Sequence, residues 1–152
     1  RCTAPIFIDP VSTVKAEKLR GLLSRVHTLK PNRIEAELLS GVKITDDESL
    51  YRAAQALIDQ GVGRVFLSLG EEGVLAVQSD EVQRAPICKA EMRNATGAGD
   101  AMMASLVWSF LSGKTLAQSA AAGTAAAAIA VESEETINPA MSAEAVEKRL
   151  AH

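Results

Sequence analysis

The stretch Asn94–Ala104, NATGAGDAMMA, places an aspartate directly behind a glycine turn and ahead of residues that favour a helix. A turn of glycine and alanine lets a ligand approach the backbone, and a helix N-terminus attracts negative charge. The N–H groups of Ala98, Gly99 and Asp100 can therefore converge on one anion, with the Asp100 carboxylate beside it as a general base. A plainer interpretation stays open, in which Asp100 only caps the helix.

Segments typical of strands and helices alternate upstream of this stretch. The alternation predicts an α/β fold, with a parallel sheet covered by helices on both faces. No repeat or internal linker interrupts it, so we expect one domain or most of one. The predicted strands are residues 5–9, 28–30, 64–69, 74–78 and 82–87, and the predicted helices are 14–26, 32–40, 46–60, 98–111, 115–131 and 142–150.

A second motif, NRIE at Asn32–Glu35, opens the helix that follows Pro31. Residues three apart share a helix face, so the Asn32 amide and the Glu35 carboxylate can together orient a phosphate and a hydrated Mg²⁺. The same spacing is that of a capping box, in which the two side chains bond the backbone at the helix start. Taken alone, the motif favours the capping box.

A third motif, SLGEEG at Ser68–Gly73, ends a strand of buried type. In parallel α/β sheets, ligands gather beyond the carboxyl ends of the strands. The alternative is a hairpin turn between two strands, which the motif alone favours.

Composition excludes several classes of function. The 152 residues carry a net charge of −3 and only 3% aromatic residues, which argues against a nucleic-acid partner. The Ala-rich run at 117–131 is too short to span a membrane and is expected to be a buried helix. Cys2 and Cys88 are too few for a disulfide scaffold and fit a reducing, cytoplasmic compartment. His27 and His152 lack the spacing of metal ligands.

The three motifs, in the order in which they follow one another along the chain, resemble the PfkB (ribokinase-like) family of sugar and nucleoside kinases. NATGAGDAMMASLVW at 94–108 resembles the C-terminal signature of the family, LKPNRIEAELLSG at 29–41 its Asn-x-x-Glu segment, and LSLGEEGVL at 67–75 its nucleotide-binding turn. The resemblance implies a ribokinase-like three-layer αβα sandwich with a largely parallel sheet. Because it begins near Ile6 and the chain lacks an initiator Met, we expect 1–152 to be the C-terminal ATP-binding and catalytic part. The N-terminal part, which carries the substrate lid, is then absent from this chain.

The resemblance also implies a reaction and its residues. The γ-phosphate of ATP passes to a hydroxyl of a small-molecule nucleoside or sugar, with Mg²⁺ as cofactor and a homodimer as the full-length assembly. Asp100 is the base, and Gly97, Ala98 and Gly99 form the anion hole. The resemblance assigns nucleotide contacts to Asn32, Ser68, Gly70, Glu71, Gly73, Thr124 and Asn138, Mg²⁺ to Glu35, and a monovalent cation such as K⁺ to Asn94 and Thr96.

Two of these positions depart from the family pattern. Asn94 stands where many relatives have Asp, and Thr124 stands where an Asn is common. A non-enzymatic alternative also stays open, a fragment that binds nucleotide or serves assembly without turnover.

Overall fold

A computed structural model describes residues 3–152, so Cys2 lies outside the described residues. The chain divides into two compact units, which are described one at a time. The first unit extends to Leu69 and includes Leu75–Gln83, and the second contains Gly70–Val74 and Arg84–His152.

A five-stranded mixed sheet has the strand order β1-β2-β3-β4-β5. The first three strands are parallel, with Phe7 opposite Thr28 and Leu29 opposite Val65. This arrangement confirms the predicted α/β class. The strands are β1 (Phe7–Ile8), β2 (Thr28–Leu29), β3 (Arg64–Ser68), β4 (Val74–Gln78) and β5 (Glu81–Ala85).

The helices are α1 (Thr13–Glu17), α2 (Arg33–Ser40), α3 (Asp47–Asp59), α4 (Ala98–Leu111), α5 (Leu116–Val131) and α6 (Ala143–Leu150), and 3-10 turns lie at Arg20–Arg25 and Gly70–Glu72. Five of these helices begin behind a side chain that bonds the first turn, which satisfies one of the free N–H groups there. The exception is α4, which begins behind Gly97 with no side-chain cap. The capping side chains are those of Ser12, Asn32, Asp46, Thr115 and Ser142.

The core of the first unit forms where α3 and β3 bury their apolar side chains. Leu50, Ala53 and Leu57 recur at helical spacing on α3 and are almost fully buried, as are Val65 and Leu67 of β3. This core fixes the carboxyl end of β3, where Ser68 lies.

The second unit is built on the packing of α4 against α5. Small residues let the two helices approach closely, because a Cβ added at Gly123 would lie 3.1 Å from the Met102 side chain. Most of α5 is buried, which confirms the buried helix expected at 117–131. Among residues 3–152, no helix combines the length and apolar character needed to cross a bilayer.

Two sequence-based predictions of local structure were wrong. The predicted helix at 14–26 ends at Glu17 and continues as a 3-10 turn around Gly21, a residue of low helix propensity. The strand predicted at 82–87 ends at Ala85, since Pro86 has no N–H to donate to a sheet.

Candidate active site

The glycine turn at the start of α4 leaves backbone donors free. Gly97 has a φ of +88°, and Ala98, Gly99 and Asp100 are the first three helical residues. The first helical bond is donated by the Ala101 N–H to the Gly97 carbonyl at 2.9 Å. Helix geometry leaves the three N–H groups ahead of it without a partner inside the helix, so this end can bind an anion.

Asp100 lies beside these donors with its carboxylate exposed. Gly97 holds the cap position, and no side chain bonds the first turn of α4. Within residues 3–152, Asp100 has neither a hydrogen-bond partner nor an ion-pair partner for its side chain. The geometry therefore gives no support to a capping role and leaves the carboxylate available to accept a proton.

The segment of residues 132–138, here called the brace segment, lies against the glycine turn. A Cβ built on Gly97 would come within 2.5 Å of the Thr136 carbonyl oxygen, so only glycine fits there. Asn138 closes the segment onto α5 by donating from Nδ2 to the Ile129 carbonyl at 2.6 Å. The structure thus gives Asn138 a role inside the protein, while its predicted nucleotide contact stays a prediction.

Asn94 links the same segment to the residues before the turn. Its Nδ2 donates to the Glu134 carbonyl at 3.1 Å, and its Oδ1 accepts the Thr96 N–H at 2.9 Å. A carbonyl oxygen has two lone pairs, so these two hydrogen bonds neither supply nor exclude a cation site. The predicted contacts of Asn94 and Thr96 with a monovalent cation stay a prediction.

The structure brings Asn32, Glu35 and Ser68 together in the first unit. The Asn32 Oδ1 accepts the Glu35 N–H at 2.9 Å, and the Glu35 Oε2 accepts the Asn32 N–H at 3.0 Å, which confirms the capping box. Asn32 also pairs with Ser68 in a parallel bridge, with the Ser68 N–H donating to the Pro31 carbonyl at 2.9 Å. The bridge continues the parallel pairing of β2 and β3 beyond their ends.

These residues fit a hydrated Mg²⁺ better than a directly coordinated ion. No group of three His, Cys, Asp or Glu able to hold a metal occurs in the described part of the chain. Mg²⁺ usually keeps several waters and binds through one or two carboxylates and substrate phosphates. Glu35 carries one carboxylate here, and its predicted contact with a hydrated Mg²⁺ stays a prediction.

The Gly70–Gly73 turn joins two neighbouring strands, β3 and β4. Both glycines have positive φ, and a Cβ on Gly73 would collide with the Ala85 carbonyl oxygen. Glu71 is exposed between them. The hairpin alternative is thus confirmed as local structure, and the predicted nucleotide contact of Gly70, Glu71 and Gly73 stays a prediction.

Thr124 is almost fully buried on α5. Its hydroxyl donates to the Ala121 carbonyl at 3.0 Å and lies 3.6 Å from the Cys88 Sγ. Sequence reasoning missed this pairing, because nothing in the spacing of Cys88 and Thr124 signals it.

The arrangement defines a ribokinase-like α/β fold in which an uncapped helix start lies beside an exposed carboxylate. The sequence profile described as pfkB family carbohydrate kinase matches residues 1–143, and the chain belongs to this family.

Individual relatives agree with the family and differ in their stated substrates. The chain is 40% identical over 140 residues to pseudouridine kinase of Escherichia coli, covering 91% of this chain and 44% of that protein. It is also 40% identical over 141 residues to an uncharacterized sugar kinase, YeiI, of the same organism, covering 92% of this chain and 39% of that one. The structure of Arabidopsis thaliana ribokinase complexed with ribose and ATP superposes with a TM-score of 0.80 at 25% identity, over 88% of this chain and 43% of that chain. The chain therefore spans less than half the length of each of these three proteins.

Proposed function

We propose that the protein containing this chain transfers the γ-phosphate of ATP to the 5′-hydroxyl of pseudouridine, giving pseudouridine 5′-phosphate and ADP. The observation that carries the proposal is the exposed Asp100 carboxylate beside the free N–H groups at the start of α4. A base and an anion site at one helix end match the needs of phosphoryl transfer, in which positioning and charge stabilisation dominate.

Each residue of the turn then has one task. Asp100 accepts the proton of the 5′-hydroxyl. The hydroxyl oxygen forms a bond to the γ-phosphorus, and the bond between that phosphorus and the leaving oxygen of ADP breaks. The N–H groups of Ala98, Gly99 and Asp100 stabilise the charge on the transferring phosphoryl group. Gly97 provides the positive φ that aims them, and its lack of a side chain leaves room for the phosphate.

The resemblance to the family supports nucleotide contacts at the Asn32–Glu35 pair and at the Ser68–Gly73 turn. Asn32 and Glu35 would orient phosphates and a hydrated Mg²⁺, which when bound would neutralise phosphate charge. Ser68, Gly70, Glu71 and Gly73 would contact ATP. Thr124 would lie near the purine; its hydroxyl donates to the Ala121 carbonyl, so towards the nucleotide it could act only as an acceptor.

The choice of substrate rests on likeness. The amino-acid sequence of residues 9–41 and 94–104 most resembles that of pseudouridine kinase. The relative of that name is 40% identical to this chain. A kinase for a free sugar is the second candidate, because the sugar kinase of the same organism is equally identical. Since the chain spans under half of these relatives, we expect the 152 residues alone to bind ATP weakly and turn over little.

A substrate panel tests the proposal on the complete natural protein, by coupled ADP assay with Mg·ATP. We expect the highest kcat/KM with pseudouridine and a lower value with uridine, which differs only in its glycosidic linkage. A higher kcat/KM with ribose, fructose or adenosine would show that the protein is another kinase of the family. ATP binding by calorimetry without turnover of any substrate selects the non-catalytic alternative, and light scattering of the same sample tests the expected homodimer.

A further inference from the structure

Two ion pairs involve residues of α6, and they differ in geometry. Arg149 bonds both oxygens of Glu132, with Nη2 to Oε1 at 2.7 Å and Nη1 to Oε2 at 3.1 Å. Glu147 meets Lys114 through a single contact of 3.5 Å. The first pair is the two-bond fork that gives Arg its geometric specificity, and the second is an ordinary surface pair.

Glu132 is the residue at which α5 ends and the brace segment begins. Asn138 fixes the other end of the segment through its bond to the Ile129 carbonyl. Between these fixed ends, the Glu134 carbonyl accepts from Asn94 and the Thr136 carbonyl lies against Gly97. The Arg149 fork therefore holds the segment whose carbonyls define where the glycine turn lies.

The brace segment has little packing of its own to hold it. Residues 134–137 are exposed, including Ile137 at 80%. An exposed segment with few buried contacts opens easily, so its few polar attachments decide its position.

We propose that Arg149 is a positioning residue of the catalytic turn, which acts through Glu132 and the brace segment on the N–H groups at the start of α4. This inference rests on the proposed function, because its consequence for catalysis needs the anion hole to work as such. Donors of this kind stabilise a transition state only when they are oriented beforehand. Loss of the fork should therefore lower turnover more than it weakens ATP binding.

The kinetic test uses the complete natural protein and four variants. Arg149→Met keeps the apolar stem without the charge, and we expect kcat to fall about 10- to 100-fold with KM for ATP nearly unchanged, as for a small misplacement of catalytic groups. Arg149→Lys keeps the charge without the two-bond fork, so its kcat should lie between that of the parent and that of Arg149→Met. The double variant Glu132→Arg with Arg149→Glu restores the ion pair with its two partners exchanged, so it should recover most of the lost kcat. Glu147→Gln, which breaks the other ion pair of α6, should leave kcat within about twofold of the parent.

Hydrogen exchange followed by mass spectrometry supplies a second readout. We expect faster exchange at residues 94–101 and 132–138 in Arg149→Met and not in Glu147→Gln. If the parent protein shows no kinase activity, the proposed function fails while this measurement still decides whether Arg149 holds the turn.

Either of two results overturns the inference: an Arg149→Met protein with parental kcat and exchange, or equal losses in Arg149→Met and Glu147→Gln. If Arg149→Met does not fold, Arg149→Lys decides by the same comparison with Glu147→Gln.

Discussion

A Cβ added to Gly97 would lie 2.5 Å from the carbonyl oxygen of Thr136, closer than side-chain carbons approach an oxygen. Gly97 also has a φ of +88°, which disfavours any residue with a side chain. The glycine turn is thus restricted twice, by its own backbone and by the segment against it.

Gly97→Ala should therefore destabilise the protein more than a positive φ alone would. Gly113 offers a matched control, because it has a φ of +68° with no atom within 4 Å of its added Cβ. We expect Gly113→Ala to cost about 1–2 kcal/mol of unfolding free energy, the usual left-handed penalty, and Gly97→Ala to cost clearly more. Urea unfolding measures both, and equal losses would show that the Thr136 contact relaxes freely.

The Asn32–Glu35 pair serves the helix and, by our proposal, the nucleotide. Glu35→Gln keeps an oxygen that can accept the Asn32 N–H, so we expect the stability to stay near that of the parent. It removes the charge, so the Mg²⁺ concentration needed for half-maximal activity should rise, and excess Mg²⁺ should restore part of the rate.

Asn32→Ala is the counterpart that removes the cap. We expect it to cost about 0.5–2 kcal/mol of unfolding free energy, as other N-cap losses do. If Glu35→Gln loses as much stability and leaves the Mg²⁺ dependence unchanged, Glu35 belongs to the cap alone.

The parts of this structure that sequence predicts well are local. Asn32 and Glu35 are three residues apart, and Gly41 ends the same helix with a φ of +74°, so short-range chemistry sets both ends of α2. The same holds for Gly97 at the start of α4, where a turn glycine precedes an apolar helix.

The parts that sequence does not predict are contacts between distant residues. The Arg149–Glu132 fork joins residues 17 positions apart across an exposed loop. Asn94 reaches Glu134 over 40 positions through a backbone carbonyl, which carries no residue-specific signal. No period or motif marks such contacts, because any residue at position 134 would present the same carbonyl.

The stability of the protein should decrease as the pH falls below about 6.5, because of His27. Burial of the ring, and then the charge of Arg64, lower the pKa of His27 from its ordinary value of 6.5. The unfolded chain then binds the proton more readily, so the contribution of His27 is complete above pH 6.5 and is lost as the pH falls through the lowered pKa.

Urea unfolding between pH 7.5 and 5.5 measures this slope. His27→Gln should flatten it, because glutamine has no group that titrates in this range. Hydrogen bonds to Lys43 and Ser49 lower the pKa values of Glu37 and Asp46 from 4.5 and 3.8, so those carboxylates lose their contribution only at still lower pH. A slope unaffected by His27→Gln would mean that another group titrates in this range.

Asp100→Asn in the complete natural protein tests the base directly. Asparagine keeps the shape of the side chain but cannot accept the hydroxyl proton, so kcat should fall by about 10²–10⁴, the usual range for a general base. The ATP dissociation constant should change little, because the anion hole consists of backbone N–H groups that the substitution leaves in place.

A matched control separates catalysis from helix electrostatics. Glu144 is also an exposed carboxylate in the first turn of its helix, α6. Loss of a negative charge at a helix N-terminus costs about 0.3–1 kcal/mol, so Asp100→Asn and Glu144→Gln should lose similar small amounts of stability. Only Asp100→Asn should lose turnover, as measured by the coupled ADP assay with saturating Mg·ATP. If the two variants behave alike in stability and in rate, Asp100 contributes a favourable charge to α4 and another group takes the proton.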